Sequence, residues 1–159
     1  MFTSRDIIGA IVWLAVTFGA AFVGSRFLPD AWYASLRKPR WNPPNWIFAP
    51  VWTLLYILMA VAAWMVWRQL GIRGALLPLG LFIIQLALNT AWTWLFFGKH
   101  RPGAALIDIA VLWLVLIAMI VVFWGLYPVA GQLLIPYLVW VTFASILNLT
   151  IYRLNPAAR

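Results

Sequence analysis

Four long apolar runs without charged residues constrain the fold of this chain more than any other feature. They cover residues 7–25, 42–67, 74–98 and 109–152. A transmembrane helix needs about 20 apolar residues, so the runs are long enough to cross a bilayer. The last run is too long for one helix, and the turn residues of YPVAGQ (127–132) divide it in two. None of the runs alternates between apolar and polar residues as a lipid-facing β-barrel strand would.

The chain is therefore predicted to be an all-α membrane protein, in which residues 1–159 form a single integral membrane domain. With 11 basic and 3 acidic residues it has too few charges to cover a soluble domain, where about a quarter of the residues are charged. Because the cations lie between or beyond the apolar runs, we expect them to set the membrane topology, and we expect no nucleic-acid partner. The predicted bundle has five transmembrane helices at approximately residues 7–28, 47–67, 75–98, 104–126 and 133–153.

Lysine and arginine are distributed unequally between the two ends of this bundle. Three arginines lie at the end that holds the N-terminus: Arg5, Arg68 and Arg73. The other end carries Arg26, Arg37, Lys38, Arg40, Lys99, Arg101, Arg153 and Arg159. Cytoplasmic loops of membrane proteins are enriched in Lys and Arg, so this bias places the first loop and the C-terminus in the cytoplasm. It also favours a plasma membrane over an outer membrane.

The loop between the first two helices, residues 29–46, is rigid, aromatic and basic. Each proline in its KPRWNPPNW stretch fixes φ and removes a backbone donor, so this stretch cannot be an ordinary helix. The preceding DAWYASLRK (30–38) can form a short amphipathic helix. We predict a structured, Pro/Trp-rich lid across one end of the bundle. The alternative is an interfacial aromatic belt, which would equally explain Trp32, Trp41 and Trp46.

Beneath this lid, polar and aromatic residues recur at helical spacing on three of the predicted helices. The stripes comprise Trp52, Tyr56, Gln85, Asn89, Trp92, Phe96, Trp140, Ala144 and Asn148. Amide side chains at this depth either form hydrogen bonds between helices or line a cavity, and both roles stay open for Gln85 and Asn89. We favour a pocket for the aromatic set because the small Ala144 leaves room where a packed core would need bulk.

Such a pocket would have flat, π-rich, apolar walls with a few amide groups and a cationic rim. The rim would come from Arg37, Lys38 and Arg40 of the lid. These features suit a large planar amphiphile with acidic substituents, such as a porphyrin with its propionates. A sterol would fit the walls but not the charge of the rim.

Three stretches of the chain resemble one known family over nearly its whole length. They are WYASLRKPRWNPPNWIFAPVWTLLYILM, LALNTAWTWLFFG and IPYLVWVTFASILNLTIYRLN. Together they are similar to the tryptophan-rich sensory protein and translocator protein family (TspO/MBR, peripheral benzodiazepine receptors), and the chain looks like a bacterial member. The resemblance implies a five-helix bundle, often dimeric, that binds porphyrins, sterols and isoquinoline or benzodiazepine-type ligands beneath the first loop.

The resemblance also implies individual site residues. The ligand-binding positions of the family fall on Tyr33, Pro44, Trp52, Asn89, Trp92, Trp140, Ala144 and Leu147. Trp52 and Trp140 match the tryptophans linked to porphyrin photochemistry in some bacterial members. One departure concerns sterols, because Leu149 stands where animal members have the tyrosine of a sterol motif, although the arginine of that motif is present as Arg153.

Function is expected to follow from binding rather than from conventional catalysis. The carboxylates Asp6, Asp30 and Asp108 lie in different segments, so they suggest no acid–base pair. His100 is interpreted as an exposed interfacial side chain, and Asp108 as a partner of Lys99 or Arg101. The chain has no cysteine, and His100 lies outside the predicted pocket, so we expect no metal site and no ligand for haem iron there.

Three function classes follow from these features and from what the family resemblance implies. The first is a membrane receptor, sensor or carrier that binds porphyrins (protoporphyrin IX or haem, as ligands rather than obligatory cofactors) and regulates tetrapyrrole levels or transport. The alternative is a light-dependent porphyrin-degrading enzyme that uses Trp52 and Trp140. A purely structural membrane scaffold is the third.

Pairs of small residues four positions apart suggest how helices associate. They are Ala15/Gly19 and Ala20/Gly24 in the first helix and Ala87/Ala91 in the third. Such pairs let membrane helices approach closely, either inside one chain or between two chains. Together with the family resemblance they favour a homodimer, with the third helix as the contact.

Overall fold

A computed structural model of the chain describes residues 2–158. It contains five helical segments long and apolar enough to cross a membrane, and no strand among the residues described, which confirms the predicted all-α membrane fold. In chain order the elements are α1 Ser4–Gly24, α2 Ala31–Ser35, α3 Asn45–Gly74, α4 Leu76–Thr93 with a π-helical turn Trp94–Gly98, α5 Pro102–Leu126, α6 Pro128–Leu133, α7 Ile135–Leu154 and a 3₁₀ turn Pro156–Ala158.

Helix α1 begins and ends earlier than the apolar pattern predicts. A capping box fixes its start, because the Asp6 backbone N–H donates to the Thr3 hydroxyl and the Thr3 N–H donates to the Asp6 carboxylate. At the other end the chain leaves the helix after Gly24, so residues 25–28 belong to the connection that leads into the lid. Hydrophobicity alone does not mark this end, since Phe27 and Leu28 continue the apolar composition.

Helix α3 is longer than predicted because it continues past the charged residue Arg68. The Arg68 guanidinium lies 3.1 Å from Asp6 and over the rings of Phe2 and Trp64, so its charge is partnered at the end of the bundle. The helical geometry is interrupted only at Gly71, whose φ of 67° is readily accessible to glycine. A glycine at this position therefore lets α3 lead directly into α4 with a short connection.

The turn predicted at residues 127–132 is mostly helical. Tyr127 alone has an extended backbone (φ −151°, ψ 99°), and α6 starts immediately afterwards at Pro128. A β-carbon on Gly131 would lie 2.8 Å from the α-carbon of Trp124, so the absence of a side chain lets α6 fold back tightly against α5. The long last run is thus divided by one residue rather than by a six-residue loop.

The helices pack around a core in the middle of the bundle. Helix α5 packs against α4 and α7, while α1 packs against α3 and α4. Large side chains from several helices are fully buried in this core, among them Phe82, Met59, Leu116, Phe123 and Tyr137. The outer faces carry many exposed leucine, isoleucine and valine side chains, as expected for surfaces that contact lipid.

Candidate functional site

The lid helix α2 rests on an aromatic surface at the end of α4. Its N-terminus is capped by Asp30, whose carboxylate accepts a hydrogen bond from the Tyr33 N–H at 3.1 Å. Tyr33 is buried, as is Leu36 directly after the helix, and the Tyr33 ring meets Phe96 and Phe97 edge-on at centroid distances of 6.2 and 5.3 Å. The amphipathic helix predicted for residues 30–38 is therefore present, although it covers only five residues.

One end of the lid is attached to the loop between α4 and α5 through His100. Its Nε2 lies 2.9 Å from Asp30 Oδ2, and its ring stacks on Trp32 at a centroid distance of 4.4 Å. The Tyr33 N–H, assisted by His100, holds the pKa of Asp30 below its ordinary value. The His100 side chain is exposed, as predicted, with 38% of its surface accessible, but the fold also brings it against a lid residue 70 positions earlier in the chain, which the sequence did not predict.

The other end of the lid is attached to the C-terminal end of α7 through Asn155. Its side-chain Oδ1 accepts a hydrogen bond from the Arg37 N–H at 2.9 Å, and its Nδ2 donates to the Arg37 carbonyl at 2.9 Å. The same Nδ2 donates to the Ile151 carbonyl at 2.8 Å, which fixes the amide to the last turn of α7. We call the Asp30–His100 and Arg37–Asn155 contacts the two latches of the lid.

Beneath the lid lies a cavity of about 90 Å³ with almost entirely apolar walls. Six of the sequence-predicted site residues meet there: Tyr33, Trp52, Trp92, Trp140, Ala144 and Leu147. The other lining residues are Pro29, Asn45, Phe48, Phe96, Phe97, Phe143, Asn148 and Ile151. Trp52 and Trp140 meet nearly perpendicular at a centroid distance of 6.4 Å, so two helices contribute indole rings to one wall.

Asn148 is the main polar group fixed in this wall. Its Oδ1 accepts a hydrogen bond from Trp92 Nε1 at 3.0 Å, and its Nδ2 donates to the Pro102 carbonyl at 2.9 Å. The first bond orients the Trp92 indole, while the second bridges α7 to the start of α5. Asn148 belonged to the helical stripe seen in the sequence but was not among the predicted site residues.

Phe48 and Phe143 also line the cavity and were missed by the sequence reasoning. Phe48 precedes Trp52 by four residues and Phe143 follows Trp140 by three, so both stand on the faces of α3 and α7 that carry the tryptophans. Their rings pack against Trp140 at 5.8 and 5.4 Å. Helical spacing from the tryptophans is the signal that could have identified them.

Two predicted site residues lie off the wall of this cavity. Pro44 lines a neighbouring surface depression formed by lid residues, which shares Pro29, Tyr33 and Asn45 with the cavity. Asn89 lies deeper, where its Nδ2 donates to the Tyr137 hydroxyl at 3.0 Å and Tyr137 donates to Gln85 Oε1 at 2.9 Å. Of the two roles left open by the sequence, hydrogen bonding between helices therefore applies to both Gln85 and Asn89.

Asn89 also borders a second cavity, of about 270 Å³, which lies beside the first toward α1. The two cavities share five lining residues: Pro29, Phe48, Trp52, Trp92 and Phe97. The rest of its lining includes small residues at the end of α1, namely Ala21, Gly24 and Ser25. Four of the five shared residues are aromatic, so movement of their rings is the way in which the two volumes would join.

The three predicted rim cations are on the lid, but they do not line the cavity. Lys38 Nζ lies 4.5 Å from the centroid of the Tyr33 ring and donates to the Ala34 and Leu36 carbonyls. Arg37 and Arg40 are exposed. None of the three cations therefore borders the cavity, although Lys38 contacts the Tyr33 ring, which does.

Asp108 does not form the ion pair predicted from its position near Lys99 and Arg101. It has no ion-pair partner among residues 2–158, and its Oδ2 is buried without a hydrogen bond. Lys99 instead lies over the Trp94 ring at 5.3 Å. Among residues 2–158, no group of three histidine or acidic side chains is arranged to hold a metal ion.

Comparison with known proteins identifies the family. The model of the TspO/MBR family matches residues 8–153. Protein CrtK of Rhodobacter capsulatus is 43% identical over 142 residues, covering 88% of each chain, and the human translocator protein is 43% identical over 147 residues, covering 89% of this chain and 86% of its own. The tryptophan-rich protein TspO of Chlorobaculum tepidum is 40% identical over 160 residues, covering 96% and 99%. The chain therefore belongs to the TspO/MBR family of integral membrane proteins.

Proposed function

We propose that this protein binds porphyrins and related planar hydrophobic ligands, including isoquinoline and benzodiazepine-type compounds, in the cavity beneath the lid. In this role it acts as a membrane receptor, sensor or carrier that regulates tetrapyrrole levels or transport. The observation that carries the proposal is the convergence of Trp52, Trp92 and Trp140 on one apolar cavity. Flat indole and phenyl surfaces bind planar π-systems well, and the Trp92–Asn148 hydrogen bond keeps one ring in place.

Because the cavity is small, we propose that the lid moves when a ligand binds. A volume of about 90 Å³ is well below the roughly 300–1,000 Å³ of ordinary small-molecule sites. Both latches, at Asp30 and Arg37, lie outside the cavity wall. The lid can therefore be released without disturbing the tryptophans on α3, α4 and α7. Rearrangement of the shared rings would add the neighbouring cavity of about 270 Å³.

The lid cations supply a reason for preferring acidic ligands. Lys38 lies over the Tyr33 ring, and both residues line a surface depression that shares Pro29, Tyr33 and Asn45 with the cavity. When the lid lifts, the propionates of a porphyrin in the enlarged site would face Arg37, Lys38 and Arg40. We propose that these ion pairs favour a dicarboxylic porphyrin over a neutral ligand of similar size.

Titration with protoporphyrin IX, followed by quenching of tryptophan fluorescence, tests the proposal. Trp140→Ala removes a wall of the cavity and should weaken binding by about 2 kcal/mol, or roughly 30-fold. Trp124→Ala is the matched control, since Trp124 is 42% exposed and lies outside the cavity. Equal loss in both variants, or in neither, would contradict the proposed site.

A second candidate function is light-dependent degradation of a bound porphyrin. Trp52 borders both cavities, and its ring also packs 5.6 Å from Tyr56, so a pigment held there would contact oxidisable side chains. Illumination of the protoporphyrin complex distinguishes the two functions. Pigment loss that is faster in the wild type than in Trp52→Phe supports degradation, whereas equal rates support binding alone. If the protein binds no pigment or drug-like ligand at all, it is a structural scaffold.

We also propose that the protein is a homodimer in the bacterial cell membrane, with the lid and the C-terminus in the cytoplasm. The small residues Ala87 and Ala91 lie in an open groove between α4 and α1, together with Ala20. A second chain could approach closely along this groove. Crosslinking in native membranes that yields only the monomer would contradict the dimer.

A further inference from the structure

The end of the bundle opposite the lid carries a groove that the proposed function does not use. It lies between the start of α1 and the end of α3 and has a volume of about 450 Å³. Its lining consists of one cation and six residues without charge: Arg5, Ile8, Gly9, Val12, Trp13, Trp67 and Ile72. The groove therefore combines an apolar trough on a lipid-facing surface with a guanidinium group at one end.

Two glycines give the groove its shape. A β-carbon on Gly9 would overlap the indole ring of Trp67, so this glycine allows Trp67 to pack directly against α1. Gly71, with its φ of 67°, turns the chain after α3, and the next residue, Ile72, forms part of the wall. The trough is a consequence of close packing between α1 and α3 at this end.

The charge at the mouth of the groove is uncompensated. The Arg5 guanidinium lies 5.2 Å from the centroid of the Trp67 ring, and no carboxylate within the described residues lies within ion-pairing distance of it. The one carboxylate nearby, Asp6, is occupied by Arg68 at 3.1 Å and by the backbone N–H and hydroxyl of Thr3 at 2.9 Å each. With Arg73 included, this end has three cations and one carboxylate.

We propose that this groove is a binding site for an anionic glycerophospholipid. One acyl chain lies in the trough over Val12 and Trp13, and the phosphate pairs with Arg5, whose planar guanidinium suits bidentate bonding to phosphate oxygens. Trp67 holds the guanidinium in place by a cation–π contact. Basic pockets between transmembrane helices recognise acidic lipid headgroups on the same physical grounds.

The test measures binding of dioleoyl phosphatidylglycerol and dioleoyl phosphatidylcholine to the purified, delipidated full chain by native mass spectrometry. We expect the wild type to prefer phosphatidylglycerol by roughly tenfold, because the choline of phosphatidylcholine already neutralises its phosphate, and we expect Arg5→Gln to abolish that preference. Arg26→Gln is the matched control because Arg26 is also exposed and stacks on one ring, Phe22, at 5.0 Å. The proposal is overturned if Arg5→Gln keeps the preference or if Arg26→Gln loses it equally.

A second pair of variants tests the trough separately from the charge. Val12→Trp fills the trough and should reduce binding of both lipids, while Val139→Trp, at a position 64% exposed on α7, should leave both unchanged. Millimolar inorganic phosphate should fail to displace phosphatidylglycerol, because it has no acyl chain. Complete displacement, or unchanged lipid binding in Val12→Trp, would show an anion contact without a lipid site.

Discussion

Replacing Asn155 with alanine should open the lid and thereby make ligand binding faster and tighter. The substitution removes two hydrogen bonds between the Asn155 amide and the Arg37 backbone, both of 2.9 Å. An intramolecular hydrogen bond contributes about 0.5–1.5 kcal/mol, and both groups are accessible to water, so the latch is worth about 1–2 kcal/mol. That corresponds to a change of roughly 5- to 30-fold in the ratio of open to closed lid.

The consequence for binding follows from the size of the closed cavity. A cavity of about 90 Å³ is too small for the ligand, and under the proposed lid movement the open lid is the state that binds. The apparent dissociation constant then equals the intrinsic one divided by the fraction of open protein. While the open state is the minor one, Asn155→Ala should raise both the association rate constant and the apparent affinity by roughly the same 5- to 30-fold.

Stopped-flow quenching of tryptophan fluorescence by protoporphyrin IX in nanodiscs measures this rate directly. Thr150→Ala is the matched control, because this exposed residue of α7 bonds only to the Ile146 carbonyl within its own helix. The control should associate at the wild-type rate. Slower or unchanged association in Asn155→Ala would refute the idea that the lid is a closed gate.

Three further predictions concern the lid and its loop. Replacing Arg37, Lys38 and Arg40 together with glutamine should weaken protoporphyrin binding by about tenfold, and by less at high salt. The affinity for a neutral isoquinoline ligand, measured in the same titration, should stay unchanged. The pKa of Asp30 is lowered in the folded protein, so its carboxylate stabilises the closed lid at pH values above its ordinary pKa of about 3.9. This stabilisation is lost as the pH falls through the lower pKa of the folded state. Association of the isoquinoline ligand should therefore become faster below about pH 4 in the wild type but not in Asp30→Asn. His100 serves the lid rather than the cavity, so haem should bind about as well as metal-free protoporphyrin, and a histidine-ligated Soret band abolished by His100→Ala would contradict this.

The five helices could be predicted because a transmembrane helix requires a long apolar run that is visible in the sequence itself. Charge-free runs of this length that lack the alternation of β-barrel strands are predicted to be helices, since only helices and closed barrels satisfy all backbone hydrogen bonds in lipid. The helix ends could not be read from hydrophobicity in the same way. Helix α3 extends past Arg68, whose guanidinium forms an ion pair with Asp6, a residue 62 positions earlier in the sequence. Only the folded chain reveals that partnership.

The candidate site was predictable where residues share a helix face and unpredictable where they meet across the fold. Trp140 and Ala144 are four residues apart, so their common face follows from helical periodicity, and Phe143 could have been added by the same logic. Asn155 and Arg37 are 118 residues apart, and no local pattern connects them. The position of the Lys38 ammonium over Tyr33, only five residues earlier, was also not predictable from helical spacing, because α2 ends at Ser35.

The most direct test of the central claim is to fill the cavity and measure porphyrin binding. Ala144 lines the cavity beneath the lid, and Ala144→Phe should occupy most of its volume of about 90 Å³. Ala110→Phe adds the same side chain at an exposed position of α5 and serves as the control. If porphyrins bind beneath the lid, Ala144→Phe should raise the protoporphyrin dissociation constant by about tenfold or more while Ala110→Phe leaves it unchanged. Wild-type affinity in a folded Ala144→Phe protein would show that the pigment binds elsewhere.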